Sequence, residues 1–212
     1  MRSRAGGSMT KGRRTASRIL DAAEARFAAR GFTGTSLRDI AAEAELQQPG
    51  LYKHFAGKDD IYRKVYERAL LPLTMALDDA LGRAPNDADF GKLTDLLTDV
   101  LVRHPNIPKL LLRALLAADT ERDEVALAWL ERLIGYGRSL SAMAGVDGDR
   151  DRLSIQIVAT FNLLFGYFWT APLLESLTGK DVADPQLVAI QKDLLTRFVA
   201  ALGGPGAASS PA

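Results

Sequence analysis

The chain of 212 residues has no cysteine and only two histidines, His54 and His104. Without cysteine there is no disulfide framework, thiol nucleophile or cysteine-ligated zinc, and the composition fits a reducing compartment. Two histidines leave too little imidazole for an all-histidine metal centre or a histidine-based triad. Neither histidine sits in a Glu-x-x-His motif, so a di-metal carboxylate bundle site is not expected. P-loop, Rossmann and G-x-S-x-G patterns are missing too. No metal, no catalytic residue and no cofactor is therefore expected. Net charge nearly vanishes, with 27 Lys+Arg against 26 Asp+Glu. No stretch alternates with period two long enough for a convincing strand, and there is no internal repeat.

The balance of charge hides an asymmetry. Residues 1–70 hold 14 Lys/Arg and 8 Asp/Glu, and the first acid is Asp21. Arg2, Arg4, Lys11, Arg13, Arg14 and Arg18 all precede it. A basic first third beside a mildly acidic remainder fits contact with a polyanion, and fits a solvated tail as well. No apolar segment with a cleavage pattern follows the early basic residues, so no secretory signal is expected. Ser154 to Leu174 carries no charge and is about as long as a bilayer-crossing helix. Its polar members, among them Gln156, Asn162 and Thr170, favour a helix buried in protein over one facing lipid.

What is present is helical throughout. Ile19, Leu20, Ala23 and Phe27 share one face of a helix starting near Thr15, which Gly31 closes as a left-handed cap with Phe32 beside it. Thr35 and Ser36 are candidate N-caps for a second helix with Leu37, Ile40, Ala41 and Ala44 on its apolar face. After Glu45-Leu46-Gln47, a brief third helix is expected over about Gln48–Phe55, with Pro49 in its first turn. Gly57 ends it and Lys58-Asp59-Asp60 opens a fourth helix, its acids matching the helix dipole. Further helices are expected over 58–81, 89–103, 107–118, 121–143, 151–177 and 185–202, with prolines between several of them.

Residues 35–55 thus have the size of a helix-turn-helix, whose second helix must be short and slim to enter a major groove. The string T-S-L-R-D-I-A-x-x-A-x-L-x-Q-P-G-L-Y-K-H-F-x-x-K, preceded by F-A-A-R-G-F, resembles the TetR family of bacterial transcriptional regulators. The resemblance covers about residues 15–65. The chain departs from the family pattern at Glu45, where glycine is common and a left-handed residue would cost on the order of 1 kcal/mol. Gln47 stands where serine is frequent, and Pro49 where a small residue is.

This resemblance implies an all-α fold. The expected layout is a disordered basic arm over 1–14, a DNA-binding helix-turn-helix domain over 15–60, a helical effector-binding and dimerisation domain over 61–202, and a disordered tail over 203–212. It implies operator DNA as a partner for Arg13, Arg14, Thr35, Ser36, Arg38, Gln47, Gln48, Gly50, Tyr52, Lys53, His54 and Lys58. Alternatives stay open for several of these. Thr35 and Ser36 bond a phosphate, cap a helix, or do both. Arg38 reaches a guanine edge or stays on the surface. Tyr52 and His54 touch the backbone or pack. Lys53 meets base or phosphate, and Gly50 offers close approach without a side-chain code. The arm adds sequence-independent affinity.

Two half-sites on one DNA face require a two-fold dimer. Its expected surface is Ile157, Leu164, Phe168, Leu187, Ile190, Leu194 and Phe198, with a four-helix bundle as the family's implied arrangement. The alternative is burial of these residues within one subunit. Five of fifteen aromatic residues crowd into nine positions, Phe161, Phe165, Tyr167, Phe168 and Trp169. Such density makes core or the wall of a mostly apolar cavity. The wall expected for a small-molecule effector is Leu97, Leu112, Leu116, Trp129, Leu133, Tyr136, Phe161 and Phe165, with His104, Arg113 and Asn162 as polar anchors. The resulting expectation is a cytoplasmic, ligand-responsive homodimeric repressor, not an enzyme and not membrane-bound. Alternatives are a ligand-independent or activating regulator, or a protein-interaction module that keeps the helix-turn-helix as scaffold.

Overall fold

The structure is a computed structural model that describes residues 11–82, 90–116, 124–143 and 150–203. Among these residues there are ten helices and no strand: α1 (Lys11–Arg30), α2 (Leu37–Glu43), α3 (Gln48–Leu51), α4 (Lys58–Leu81), α5 (Phe90–Arg103), α6 (Asn106–Leu116), α7 (Glu124–Met143), α8 (Arg150–Trp169), α9 (Ala171–Thr178) and α10 (Pro185–Gly203). The chain divides into two compact units, Met1–Ala69 and Leu70–Ala212, and passes from one to the other within α4. The boundary falls later than the expected 60/61. Residues 1–10 and 204–212, which hold most of the expected arm and tail, lie outside the described residues.

In the N-terminal unit, α1 buries Ile19, Ala22, Ala23, Phe27 and Ala28 along one stripe. It begins at Lys11, so Lys11, Gly12, Arg13 and Arg14 form its first turn and are not part of an extended arm. Gly31 closes α1 at φ 70°, with its N–H on the Phe27 carbonyl at 2.9 Å. Phe32 then stacks on Phe27 at 6.0 Å, and Tyr62 meets both rings edge-on at 5.0 and 4.9 Å. Arg26 pairs with Glu43 at 2.6 Å, tying α1 to α2. Arg68 on α4 donates to Asp21 and Glu24 at 2.7 and 2.9 Å, tying α4 to α1.

In the C-terminal unit, α8 packs against α6, α7 and α10, and α10 also covers α5. The core is apolar, built from Leu101, Ile107, Leu110, Leu111, Leu133, Leu164, Phe165 and Leu195 among others. Gln191 is buried there and donates to the Leu163 carbonyl at 2.7 Å, fixing α10 on α8 by one directed bond. The expected helix over 151–177 is two helices. It breaks at Thr170, just before Pro172, and the pieces meet at 61°. Pro172, in the first turn of α9, lacks the N–H that would continue the ladder onto the Phe168 carbonyl, which accounts for the break. Among the described residues, no single helix is long and apolar enough to cross a membrane, although α8 and α9 together match one in length and composition.

Candidate nucleic-acid interface

The expected reading segment is built by three local devices. The first caps α2. Ser36 accepts the Asp39 N–H at 3.1 Å while the Asp39 carboxylate accepts the Ser36 N–H at 2.9 Å, a reciprocal capping box. Hydrogen bonds from the Ser36 side chain, then from its backbone, hold the Asp39 carboxyl below its usual value. The second device closes α2. The Leu46 N–H reaches the Ala41 carbonyl at 2.8 Å and the Glu45 N–H reaches Ala42 at 3.1 Å, with Glu45 at φ 52°. This is a Schellman closure with glutamate in the left-handed position. The third is Gly34, whose missing side chain lets the loop lie on α1. A Cβ there would sit 2.4 Å from the Arg30 carbonyl oxygen.

With these in place, α3 is one turn long, Gln48–Leu51. This corrects the expected span to Phe55: Tyr52, Lys53 and His54 lie in the following turn, with the Phe55 N–H still on the Leu51 carbonyl at 3.0 Å. Leu51 and Phe55 face inward as expected, beside Ile40 and Ala41 of α2 in the buried set. Gln47, Gln48, Tyr52 and Lys53 are exposed, as are Ser36 and Arg38 at the start of α2. His54 is half-buried, its ring tilted 6.5 Å from that of Phe55. Lys58 is also half-buried, with its ammonium 4.0 Å over the Phe32 ring. Arg13 and Arg14 are exposed on the first turn of α1.

Thr35 is a correction. It is only 2% exposed and shares its hydroxyl proton between the carbonyls of Gly31 at 2.9 Å and Arg26 at 3.3 Å. Its side chain fastens the end of α1 and is not presented to solvent. Of the two adjacent hydroxyls, Ser36 is the cap. Gly50 shows the reverse: a Cβ there would meet only the Leu46 Cβ, at an ordinary 4.0 Å. Among the described residues, nothing demands glycine at that position.

In the C-terminal unit, the residues expected at an effector wall separate by burial. Leu97, Leu133, Tyr136 and Phe165 are buried, and Leu112, Trp129 and Phe161 are half-buried. Their helices α6, α7 and α8 pack pairwise, while Leu97 lies on α5, which packs on α10. Phe161 and Phe165 stand 4.4 Å apart, and Trp169 donates its indole N–H to the Pro108 carbonyl at 2.7 Å. Tyr136 donates to Asp78 and accepts from Arg132 at 3.2 Å. Burial first, then the Asp78 carboxylate, pushes its phenol upward. Leu116, His104, Arg113 and Asn162 are exposed, Leu116 by 78%, so they do not line the interior of one subunit.

The expected pairing surface changes as well. Leu164 and Phe168 are buried in their own subunit's core. Ile157, Leu187 and Phe198 are half-buried, and Ile157 presses on α7 at Gly137, where a Cβ would come within 2.9 Å of its Cγ2. Only Ile190 and Leu194 stand out, 57% and 51% exposed. On α8 the exposed apolar residues are Ile155 and Val158, 70% and 50% exposed, which the sequence reading missed. Their three-residue spacing was a signal, but one hidden inside a helix apolar on every side.

A capped first helix, a left-handed turn and a one-turn second helix place the protein in the helix-turn-helix class, an architecture that docks on DNA. Comparison agrees: the profile for bacterial regulatory proteins of the tetR family matches residues 19–65. The HTH-type transcriptional repressor Rv3405c of Mycobacterium tuberculosis is 30% identical over 167 residues, 78% of each chain. The HTH-type transcriptional repressor SCO4008 of Streptomyces coelicolor is 28% identical over 181 residues, covering 83% of this chain and 82% of its own. In fold, the chain is similar to a TetR-family transcriptional regulator from Bordetella parapertussis, with TM-score 0.67 and 19% identity over 93% of this chain and 98% of that one. A TetR-like regulator from Rhodococcus sp. RHA1 gives TM-score 0.65 and 22% identity over 88% and 93%. The chain belongs to the tetR family of bacterial regulatory proteins, and is accordingly a DNA-binding transcriptional regulator and not an enzyme.

Proposed function

We propose that the protein is a cytoplasmic homodimeric repressor that leaves its operator when a small, largely apolar effector binds the C-terminal unit. Support for repression comes from the names of the Mycobacterium and Streptomyces relatives. Support for pairing comes from Ile155 and Val158 on α8 and Ile190 and Leu194 on α10, large apolar side chains left in water by helices that pack together. The effector site is assigned to the inner faces of α6, α7 and α8, around Leu112, Trp129, Leu133, Tyr136, Phe161 and Phe165. Release is a population shift. An effector preferring the incompetent state by about 1–3 kcal/mol weakens DNA binding about 5–150-fold. The link is α4, the helix through which the chain leaves the DNA-binding unit.

Gly50 carries the DNA-binding assignment to specific residues. Glycine in a helix costs roughly 0.5–1 kcal/mol relative to alanine, and among the described residues nothing requires it there. Its use is close approach of something outside the chain, and on this face that is the duplex. Selection of bound duplexes from a random pool supplies an operator. Gly50→Ala then holds or raises thermal stability while weakening operator binding. Equal binding by both proteins overturns the assignment. A screen for compounds that release the selected operator tests the effector. Release by none, or tighter binding with a compound, replaces induction with a ligand-independent or activating role.

A further inference from the structure

A carboxylate, a phenol and a guanidinium converge at Tyr136, within the C-terminal unit. Tyr136 is buried, and its hydroxyl donates to Asp78 on α4 while accepting from Arg132, one turn earlier on α7, at 3.2 Å. The Arg132 guanidinium lies over the rings of Trp129 and Tyr136, 5.1 and 5.8 Å from their centroids. Its planar fork of N–H donors matches a carboxylate. Asp78 and Arg132 are both exposed, so a solute can reach the cluster from water.

Asp78 is poorly placed for its charge. It sits in the last turn of α4, which has no basic residue, at the negative end of the helix dipole. α7 packs closely on α6 and α8 and less on α4. The Tyr136 hydroxyl thus holds a carboxylate that the helix end disfavours, and through it ties α4 to α7. We infer that the effector is an apolar carboxylic acid whose carboxylate replaces Asp78 on the Tyr136 hydroxyl and also takes the Arg132 guanidinium, freeing the end of α4. A carboxylate is what the phenol already holds. A free acid escapes the helix dipole that works against Asp78, and it can meet the guanidinium with both oxygens. Its apolar body lies along Trp129, Leu133 and Phe165. An amine in the same place would meet the like charge of Arg132. The inference rests on the effector proposal above and adds the chemical class of the ligand and the bond it breaks.

The test uses the full-length protein, a labelled operator selected from a random pool, and two acids, decanoate and naphthoate, each beside its amide and its amine. The acids are expected to release the operator, and the amides and amines to need about 10–150-fold higher concentrations. Asp78→Ala, at an exposed helix end that alanine suits, is expected to weaken operator binding without ligand by about 5–150-fold. The same variant is expected to bind the acids more tightly, read by tryptophan fluorescence. Arg132→Gln is expected to bind them about tenfold more weakly or worse. Amides or amines that release as well as the acids overturn the inference, as does an Asp78→Ala protein that binds operator and acids like its parent. Release by screened compounds without an acidic group, and by neither acid, overturns the ligand class while effector-controlled release stands. Release by no compound at all overturns the effector proposal itself, and this inference with it.

Discussion

The two units are held together in different ways. The N-terminal unit is fastened by directed bonds at named points: the Ser36–Asp39 box, the Glu45 closure, the Thr35 hydroxyl, and the Arg26 and Arg68 ion pairs. The C-terminal unit is held by broad apolar faces, with directed bonds that join one helix to another, among them Gln191 to Leu163, Trp169 to Pro108, Tyr136 to Asp78 and Lys192 to Asp99. Directed bonds fix geometry within fractions of an ångström, which base reading requires. Apolar packing fills volume but tolerates rearrangement when the volume is kept, which suits the guest and the second copy that the proposed function assigns to this unit.

The largest effect that would break this contrast is expected in the C-terminal unit. Leu194→Asp places a charge on the exposed face of α10. It is expected to yield monomers by sedimentation and to reduce operator binding to the non-specific level, a fall of about 10³-fold or more, with helix content unchanged. Dimers that still bind the operator would remove that face from the interface.

Two glycines sharpen the comparison next. Gly34→Ala drives a methyl into the Arg30 backbone carbonyl, and is expected to lower stability by about 1–3 kcal/mol. Gly137→Ala meets the Ile157 side chain, which can turn aside, and is expected to cost less. Urea unfolding of both variants decides the order; the reverse order would mean that the C-terminal unit is the more tightly constrained.

Glu45→Gly removes the left-handed strain at φ 52° and is expected to stabilise by about 1 kcal/mol, read as a rise in Tm. The smallest effect is that of acid. Hydrogen bonds hold the Asp39 carboxyl below 3.8. At Asp184, the cap of α10, desolvation pushes upward, but the Gln186 and Leu187 N–H groups and Lys180 outweigh it and lower that carboxyl too. A depressed native pKa gives stability that is present above the unfolded value and lost as pH falls through the native one. Both caps are expected to hold above about pH 4 and weaken below it. In Ser36→Ala the α2 share of that acid dependence is expected to shrink, measured by denaturant unfolding against pH.

The same difference governs what could be read from the residues alone. Caps, glycines and the T-S-L-R-D-I-A string are local, so the N-terminal unit was legible nearly element by element, and α4 spans Lys58–Leu81 as expected. What failed there was finer. Thr35 and Ser36 both satisfy the chemistry of a cap, and only the folded loop decides that Thr35 turns inward. In the C-terminal unit helix positions were legible but their phase was not. On α8, apolar side chains lie on every face, so periodicity could not separate Leu164 and Phe168, which go inside, from Ile155 and Val158, which stay out. Polar anchors such as His104 and Asn162 were chosen by chemistry, and their exposure is decided by partners distant in sequence.

The corner at Thr170 has a consequence for any reading by averaged hydropathy. From Ser154 to Trp169 the uncharged part of α8 measures roughly 24 Å along its axis, short of the ~30 Å of hydrocarbon in a bilayer. The remaining apolar residues are spent in another direction. A sliding window adds up residues as if they lay on one straight line, and Pro172 ensures that here they do not.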